Sequence, residues 1–553
     1  MRRQQEVERL RSLLDGNDPG AFLKLVDAYR RARDYCLALS TLRDGLSRCA
    51  PDPKLFRIAV QTLADCNRTE EAASIARQAQ ALFPHDRFFA LAGRLLLPVL
   101  YDRFEEIQSW RTRFSNGLSD LLSHLKLESP DDCKAMLAAL SRHTNFYLVY
   151  QARDDRWLQQ QYGTLVRRVL AAIYPDWVKP RRMPVVPPDG RIRVGYLPAR
   201  LLSSQIGWLT QLDRRKFELF TYHIGKRTNS LTEEIRRASD HFRHVQDLEE
   251  ICRAVQADDL HVAVFMDVGL HDSMTPLSGL RLAPIQCQTW AHPKTSGSQV
   301  MDYFLSSDLM EPPNGDQHYD ERLIRLPGIG CYCQKPLIPR LLLNKKRAWF
   351  GLGENRTVYL CCQFSSKYLP QHDDMFVEIA QRNPLAQFAF VAANDVVGAD
   401  LRRRLDRAFS LHGLNAADYC VMLPRYYILD YWNLCLISDV FLDSIDYSGF
   451  FTTIDAVACP LPVVTLPGEF HRGRQSYAIL TQLGVTDTIA RDKKEYVDLA
   501  VRLGQDTEWR AEIIRRMQEG HPALFQDTRS VRALEDFYQR AVAEVLALQE
   551  DSD

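Results

Sequence analysis

In the stretch LCCQFSSKYLPQHD, residues 360–373, an apolar strand gives way to a polar loop carrying Gln363 and Lys367. A lysine at the exit of a buried strand can neutralise the charge that builds on a departing diphosphate. A second stretch, FLDSIDYSGFFTTIDAVACPLPVVTLPGEFHRGR at 441–474, reads as a strand, a small-residue loop with a bend at Gly449, and a short helix. Thr452 and Thr453 open that helix, Asp455 sits one turn in, and Cys459-Pro460 closes it before a further strand at 462–466. The free N–H groups and positive end of a helix start hold an anion, and a carboxylate one turn in can accept from sugar hydroxyls. Plain readings fit the same residues: a Thr-capped turn with an exposed aspartate, and a solvated surface lysine. No GxGxxG or Walker lysine motif accompanies them.

Other candidates lie elsewhere. His292 falls in TWAHPKTSGSQVMDYFLSSDLMEPP, 289–313, where the backbone of Lys294 to Gly297 can approach a ligand closely; a turn histidine bonding backbone is the bland alternative. His471, Arg472 and Arg474 cluster at a helix start, where cations oppose the dipole unless they meet an anion or an acidic partner. His143 lies in SRHTNFYLVYQARDDRWLQQQYG, 141–163, a segment that reads as a helix packed on a neighbour. A lone histidine there is more often structural. Asp443 and Asp446, with two residues between them, do not form a DxD motif, so leaving-group charge falls to Lys367 and the Thr452 helix end without a metal.

The elements that must position these residues are legible from period. DPGAFLKLVDAYRRARDYCLALSTLRDGLSRCAP begins at Asp18 and DPKLFRIAVQTLADCNRTEEAASIARQAQALFPH at Asp52, with Ala38 matched by Ala72 and Leu39 by Ala73. A 34-residue helix-turn-helix period with a small residue at the helix crossing is the tetratricopeptide (TPR) signature, and a divergent third unit starts at Asp86. Such repeats serve either as a helical cap or as a peptide-binding surface. The sequence stays helical to 174, and a proline-rich linker occupies 175–189. RIRVGYLP, FELFTYHI, HVAVFMDV, PIQCQTW and DYFLSS then alternate with helical stretches, as do RTVYLCCQF, QFAFVAA, YCVMLP, DVFLDS and PVVTLP. That alternation predicts two consecutive doubly wound parallel-sheet domains, with ligands at the carboxyl ends of the strands. The expected division is TPR-like repeats at 1–100, a helical linker domain at 101–174, the linker at 175–189, Rossmann-like domains at 190–345 and 346–525, and a C-terminal helix at 526–553.

At 553 residues the chain can bury two or three cores. Seventy basic residues balance seventy acidic ones, which removes a sequence-wide footprint for nucleic acid or anionic membrane. Thirteen cysteines show no CxxC pair or zinc spacing, and the charged N-terminus lacks the apolar core of a signal peptide. Reduced thiols, a cytoplasmic location and no membrane span are the expectations.

DYSGFFTTIDAVACPLPVVTLPGEFHRGR, HPKTSG with MDYFLSSD and HYDERLIRLPG, and the Lys367 segment resemble the O-GlcNAc transferase family of GT-B glycosyltransferases, including its bacterial members with TPR-type repeats. The resemblance implies an α/β GT-B fold preceded by an all-α TPR-like region, and a UDP-sugar donor. It implies that Lys367, Thr452 and Thr453 bind the diphosphate and Asp455 the ribose, with Gln363, placed by a one-residue shift, on the same ligand. HTNFY makes His143 a catalytic candidate beside Lys367, His292 a donor-facing one, and the family match at Arg474, structural before catalytic, a further nucleotide-sugar-binding candidate. One departure stands out: where the family has a histidine near the acceptor, PARLLSSQIGWLTQL places Ser204 or Gln205. The implied function is inverting transfer of GlcNAc or another hexose to a protein Ser or Thr hydroxyl, with the acceptor contacted by the repeats. A pseudoenzyme or scaffold that binds a protein partner, and transfer to asparagine, are the alternatives.

Overall fold

A computed structural model describes residues 17–200 and 206–551; the Ser204 and Gln205 positions therefore lie outside the described residues. The 34-residue period is set by capping. Asp18, Asp52 and Asp86 are each the N-cap of a helix, and their carboxylates accept from backbone N–H groups of the first turn. Pro19 and Pro53 follow, where a missing N–H costs nothing. The paired helices Pro19–Ala32 with Tyr35–Arg48, and Pro53–Asp65 with Thr69–Leu82, pack closely because Ala38 and Ala72 are fully buried at matching positions. Arg87–Leu95 and Phe104–Ser123 follow as a third pair.

Among the described residues the strands form two all-parallel sheets. The first contains β1 (Ile192–Leu197), β2 (Phe217–His223), β3 (His241–His244), β4 (Val262–Phe265), β5 (Ile285–Thr289), β6 (Tyr303–Ser307) and β7 (Arg322–Leu326), in the order β3-β2-β1-β4-β5-β6-β7. The second contains β8 (Thr357–Cys361), β9 (Ala386–Val391), β10 (Cys420–Leu423), β11 (Val440–Leu442) and β12 (Val463–Val464), in the order β10-β9-β8-β11-β12. Both orders reverse between the first strand and the fourth, which opens a crevice at the carboxyl ends of β1 with β4 and of β8 with β11. β4, β8 and β11 are buried, largely apolar runs, and β5 buries Gln286 and Gln288 as well, because helices cover both faces. The edge strands β3 and β7 carry no such run, and most of their residues reach solvent.

The chain packs into two compact units. One gathers the N-terminal helices up to Leu125 with Ile338–Leu466 and Thr488–Ile514, and so holds the repeats and the second sheet. The other gathers Lys126–Leu337, Pro467–Asp487 and the chain from Arg515 onward, around the first sheet. In this second unit the proline-rich run buries Val178 and Met183, and Arg181 donates to the Arg281 carbonyl. The C-terminal helix Arg529–Glu550 lies on the first sheet: Tyr538 meets Tyr196 at 3.2 Å between hydroxyls, and Phe537 packs edge-on against Tyr303. All thirteen cysteines are free thiols. No helix among the described residues is long and apolar enough to cross a membrane.

Candidate functional site

β8 and β11 are neighbours, with Tyr359 beside Val440 and Leu360 beside Phe441, so their exits open at one place on the second sheet. From β8 the chain runs through Gln363 into a 3-10 turn, Ser365–Lys367. From β11 it runs through a loop into the helix Phe451–Ala458. Lys367 Nζ donates to Gln363 Oε1 at 2.9 Å and to the Ser448 carbonyl at 2.8 Å, and lies 4.4 Å from the centre of the Tyr447 ring. Gln363 Nε2 in turn donates to Thr452 Oγ1 at 2.8 Å. A lysine, an amide and a helix-start threonine thus form one chain of contacts, although Gln363 and Thr452 are 89 residues apart.

Neither plain reading fits this geometry. The lysine is half-buried and doubly hydrogen-bonded, and desolvation pulls its amine down from 10.5 to about 8 against the attraction of Asp443. No side chain caps the helix: Thr452 Oγ1 is taken by Gln363, and Thr453 Oγ1 donates back to the Gly449 carbonyl at 2.9 Å. Thr453 is fully buried and also donates its N–H to the Phe450 carbonyl, so it builds the turn. Asp455 is half-buried; it accepts from Trp432 Nε1 at 2.9 Å, and burial raises its carboxyl to about 6.

The loop has its own scaffold, which motif reading passes over. Asp443, dismissed as half of a DxD, is a buried hub that accepts from Gly449 N at 2.8 Å, Ser448 Oγ at 2.6 Å and Thr465 Oγ1 at 2.8 Å. The left-handed turn falls at Asp446, whose carboxylate meets His372 at 2.8 Å. Gly449 instead permits a close approach: a Cβ there would lie 2.2 Å from Gln363 Nε2 and 2.3 Å from Thr452 Oγ1. Tyr368 holds the other side, its hydroxyl accepting the Gln363 N–H at 3.0 Å.

His143, His292 and Arg474 belong to the other unit. His143 is half-buried with Nδ1 at 3.1 Å from the Tyr162 hydroxyl, and burial lowers its imidazole to about 4. His292 is buried and stacks on Phe146 with centroids 5.0 Å apart and planes 5° apart; burial first, then Lys294 and Arg472, hold it well below 6.5. Arg474 lies over the Tyr477 ring at 4.6 Å. The acidic partner demanded by this arginine cluster is found at Arg472, which pairs with buried Asp155 at 3.3 Å. Lys294, noted only for its backbone, is buried as well, and desolvation lowers its amine to about 8. Its signal was available in sequence only as a lysine inside a small-residue loop.

The model of glycosyl transferase family 41 matches residues 157–331 and 334–530, which take in both sheets. The chain belongs to glycosyl transferase family 41. Curated relatives include the probable UDP-N-acetylglucosamine–peptide N-acetylglucosaminyltransferase SPINDLY of Arabidopsis thaliana, 22% identical over 58% of this chain and 36% of its own length. The enzyme SEC of the same plant, under the same description, is 23% identical over 66% of this chain and 38% of its own. The family-41 chain thus spans little more than a third of the length of these relatives. Among solved structures, a mutant of the Thermobaculum terrenum O-GlcNAc transferase aligns over 96% of this chain and 98% of its own, with a TM-score of 0.70 and 23% identity. That likeness carries the fold, a GT-B arrangement of Rossmann-like sheets with TPR-like helices before them.

Proposed function

We propose that this family-41 chain is an inverting glycosyltransferase that moves GlcNAc or another hexose from a UDP-sugar to a Ser or Thr hydroxyl of a protein. The observation that carries the reading is the convergence of Lys367, Gln363 and the uncapped helix at Thr452 on the carboxyl-end crevice of the second sheet. A sugar leaves a nucleotide as the diphosphate takes up its charge. A protonated amine and a positive helix end, both already ordered and partly desolvated, stabilise that charge without reorganising during the reaction. Asp455, ionised above about pH 6, accepts from ribose hydroxyls. The names of the curated relatives supply UDP-N-acetylglucosamine and a peptide acceptor as the first substrates to try. His143 is the imidazole assigned to the acceptor. With its proton affinity lowered to about 4 it is neutral at pH 7 but a weak base, which favours delivery of the hydroxyl proton to a donor phosphate oxygen.

UDP at a hundred times its dissociation constant should stabilise the protein by about 2.7 kcal/mol in a thermal-shift assay. An unchanged midpoint at millimolar UDP would leave the scaffold reading, which the Ser204 position favours, or a different nucleotide. The cradle itself is tested by Gly449→Ala, whose methyl must displace Gln363 from Thr452. We expect a folded protein whose UDP affinity, measured calorimetrically, falls about tenfold, the equivalent of one lost hydrogen bond of roughly 1.4 kcal/mol. Wild-type affinity in that variant would remove the Gln363–Thr452 contact from the site.

A further inference from the structure

The turns of the N-terminal repeats are spaced along one helix of the second sheet domain, Asp395–Ser410. At its start the Asp395 carboxylate accepts the N–H groups of Tyr35 and Cys36 at 3.3 and 3.4 Å, and Asn394 donates to the Asp65 carbonyl. Further along, Asp400 takes Arg68 at 2.9 Å and Asn67 at 3.5 Å. Beyond it Arg404 reaches the Tyr101 carbonyl at 2.8 Å, and Arg407 pairs with Asp102. One turn from each 34-residue period therefore meets the helix every few residues, a step of roughly 6–10 Å at 1.5 Å per residue.

Arg404 differs from the other docking residues. Arg68 and Arg407 are half-exposed pairs, whereas the Arg404 side chain is 2% exposed and uses four of its five N–H groups. Its Nε and Nη2 hold Asp373 at 2.7 and 2.8 Å, Nη2 also donates to the Tyr368 carbonyl at 2.8 Å, and Nη1 donates to Tyr101. Tyr368 follows Lys367 directly, and its hydroxyl accepts the Gln363 N–H. One planar guanidinium thus joins the third repeat turn to the loop that carries both Gln363 and Lys367, a reach that a point-charge ammonium cannot reproduce.

We propose that Arg404 is a positioning residue: by bridging the Tyr101 turn to the Tyr368 carbonyl, it makes the placement of Gln363 and Lys367 depend on the docking of the repeats. Its functional meaning rests on the reading of Lys367 as the diphosphate ligand. A displaced third repeat releases the loop, so a shift of the repeats is felt at the anion site.

Arg404→Lys keeps a charge opposite Asp373 but cannot reach both carbonyls. Amide hydrogen exchange of residues 363–368 should rise about tenfold, while the core strands β8 and β9 keep their protection, and UDP affinity should fall about tenfold. A second variant, Arg68→Ala with Arg407→Ala, removes two half-exposed contacts and leaves Asp400 its Arg403 partner at 2.6 Å. It should raise exchange at residues 100–103 and 363–368 together. Unchanged protection of 363–368 in either folded variant, or a rise there matched by β8 and β9, overturns the proposal, since a merely structural arginine would alter only global unfolding. The exchange is read without nucleotide. A wild type that fails to bind UDP would therefore count against the assigned function, and the exchange result would still decide the role of Arg404.

Discussion

Replacing Lys367 by methionine is expected to remove most of the turnover and, at the same time, to make the unliganded protein more stable. The amine titrates near 8 when folded and near 10.5 when unfolded. Between those values the unfolded chain holds more protons, so stability rises with pH across this window; below about pH 8 the half-buried charge costs a constant amount, on the order of 2–3 kcal/mol once solvent screening is allowed for. Methionine is similar in length and carries no charge, but it forfeits the bonds to Gln363 and the Ser448 carbonyl. The net gain is therefore about 1–2 kcal/mol. Turnover should fall roughly a hundred- to a thousandfold, the usual loss when one preorganised donor to a developing oxyanion is removed. Single-turnover kinetics with a UDP-sugar and a denaturant melt of the apoprotein at pH 7 measure both. Turnover within a few-fold of wild type, or a melt shifted to lower denaturant, would contradict the assignment of Lys367. In the wild type, UDP affinity should also weaken as pH rises past 8, because the neutral amine no longer attracts the diphosphate.

The opposite balance is expected at Asp443. Its two oxygens accept from Gly449, Ser448 and Thr465, and its carbonyl accepts from Tyr496 at 2.7 Å. Asp443→Ala strands three buried donors and leaves the Lys367 charge without its nearest opposing group, so a loss of about 3–5 kcal/mol is expected. Asp443→Asn keeps the shape but turns an amide towards hydroxyl donors, and it should lose less. UDP binding should vanish in the alanine variant even under conditions where it remains folded, because the Ser448 hydroxyl and the Gly449 N–H then lose the carboxylate that fixes the loop beneath Lys367. The double variant Lys367→Met with Asp443→Ala should be less destabilised than the sum of the two changes, since the amine and the carboxylate share one cluster. Strict additivity in that cycle would show that the two residues act apart.

These two residues also show where the sequence stops being readable. Lys367 announces itself by type and place, as a cation at the end of an apolar strand, and Thr452, Thr453 and Asp455 by their position after a strand and a glycine. Asp443 gives no such sign: its carboxylate accepts from groups up to 22 residues away and its carbonyl from Tyr496, 53 residues away, and only the folded chain brings them to it. Gln363 needed a one-residue shift in sequence, yet its side chain lands between Lys367 and Thr452 because β8 and β11 are paired. Thr453, a candidate ligand-binding residue by its place at the helix start, also ties that helix to its own loop, its hydroxyl donating to the Gly449 carbonyl. The edge strands β3 and β7 were not singled out as strands, since partly exposed strands have no reason to be continuously apolar.

What the amino-acid sequence determined alone is whatever rests on local periodicity and on single residues acting near their own backbone. The 34-residue repeats follow from Asp18, Asp52 and Asp86 capping their own helices, and the sheets from buried apolar runs. Tertiary structure alone decided the grouping of 467–487 with the first sheet, the hub at Asp443 and the contact of Arg404 with Tyr101, 303 residues before it. The reason is that a hydrogen bond or ion pair works over about 3 Å, while the order of the chain says nothing about which distant segments come that close.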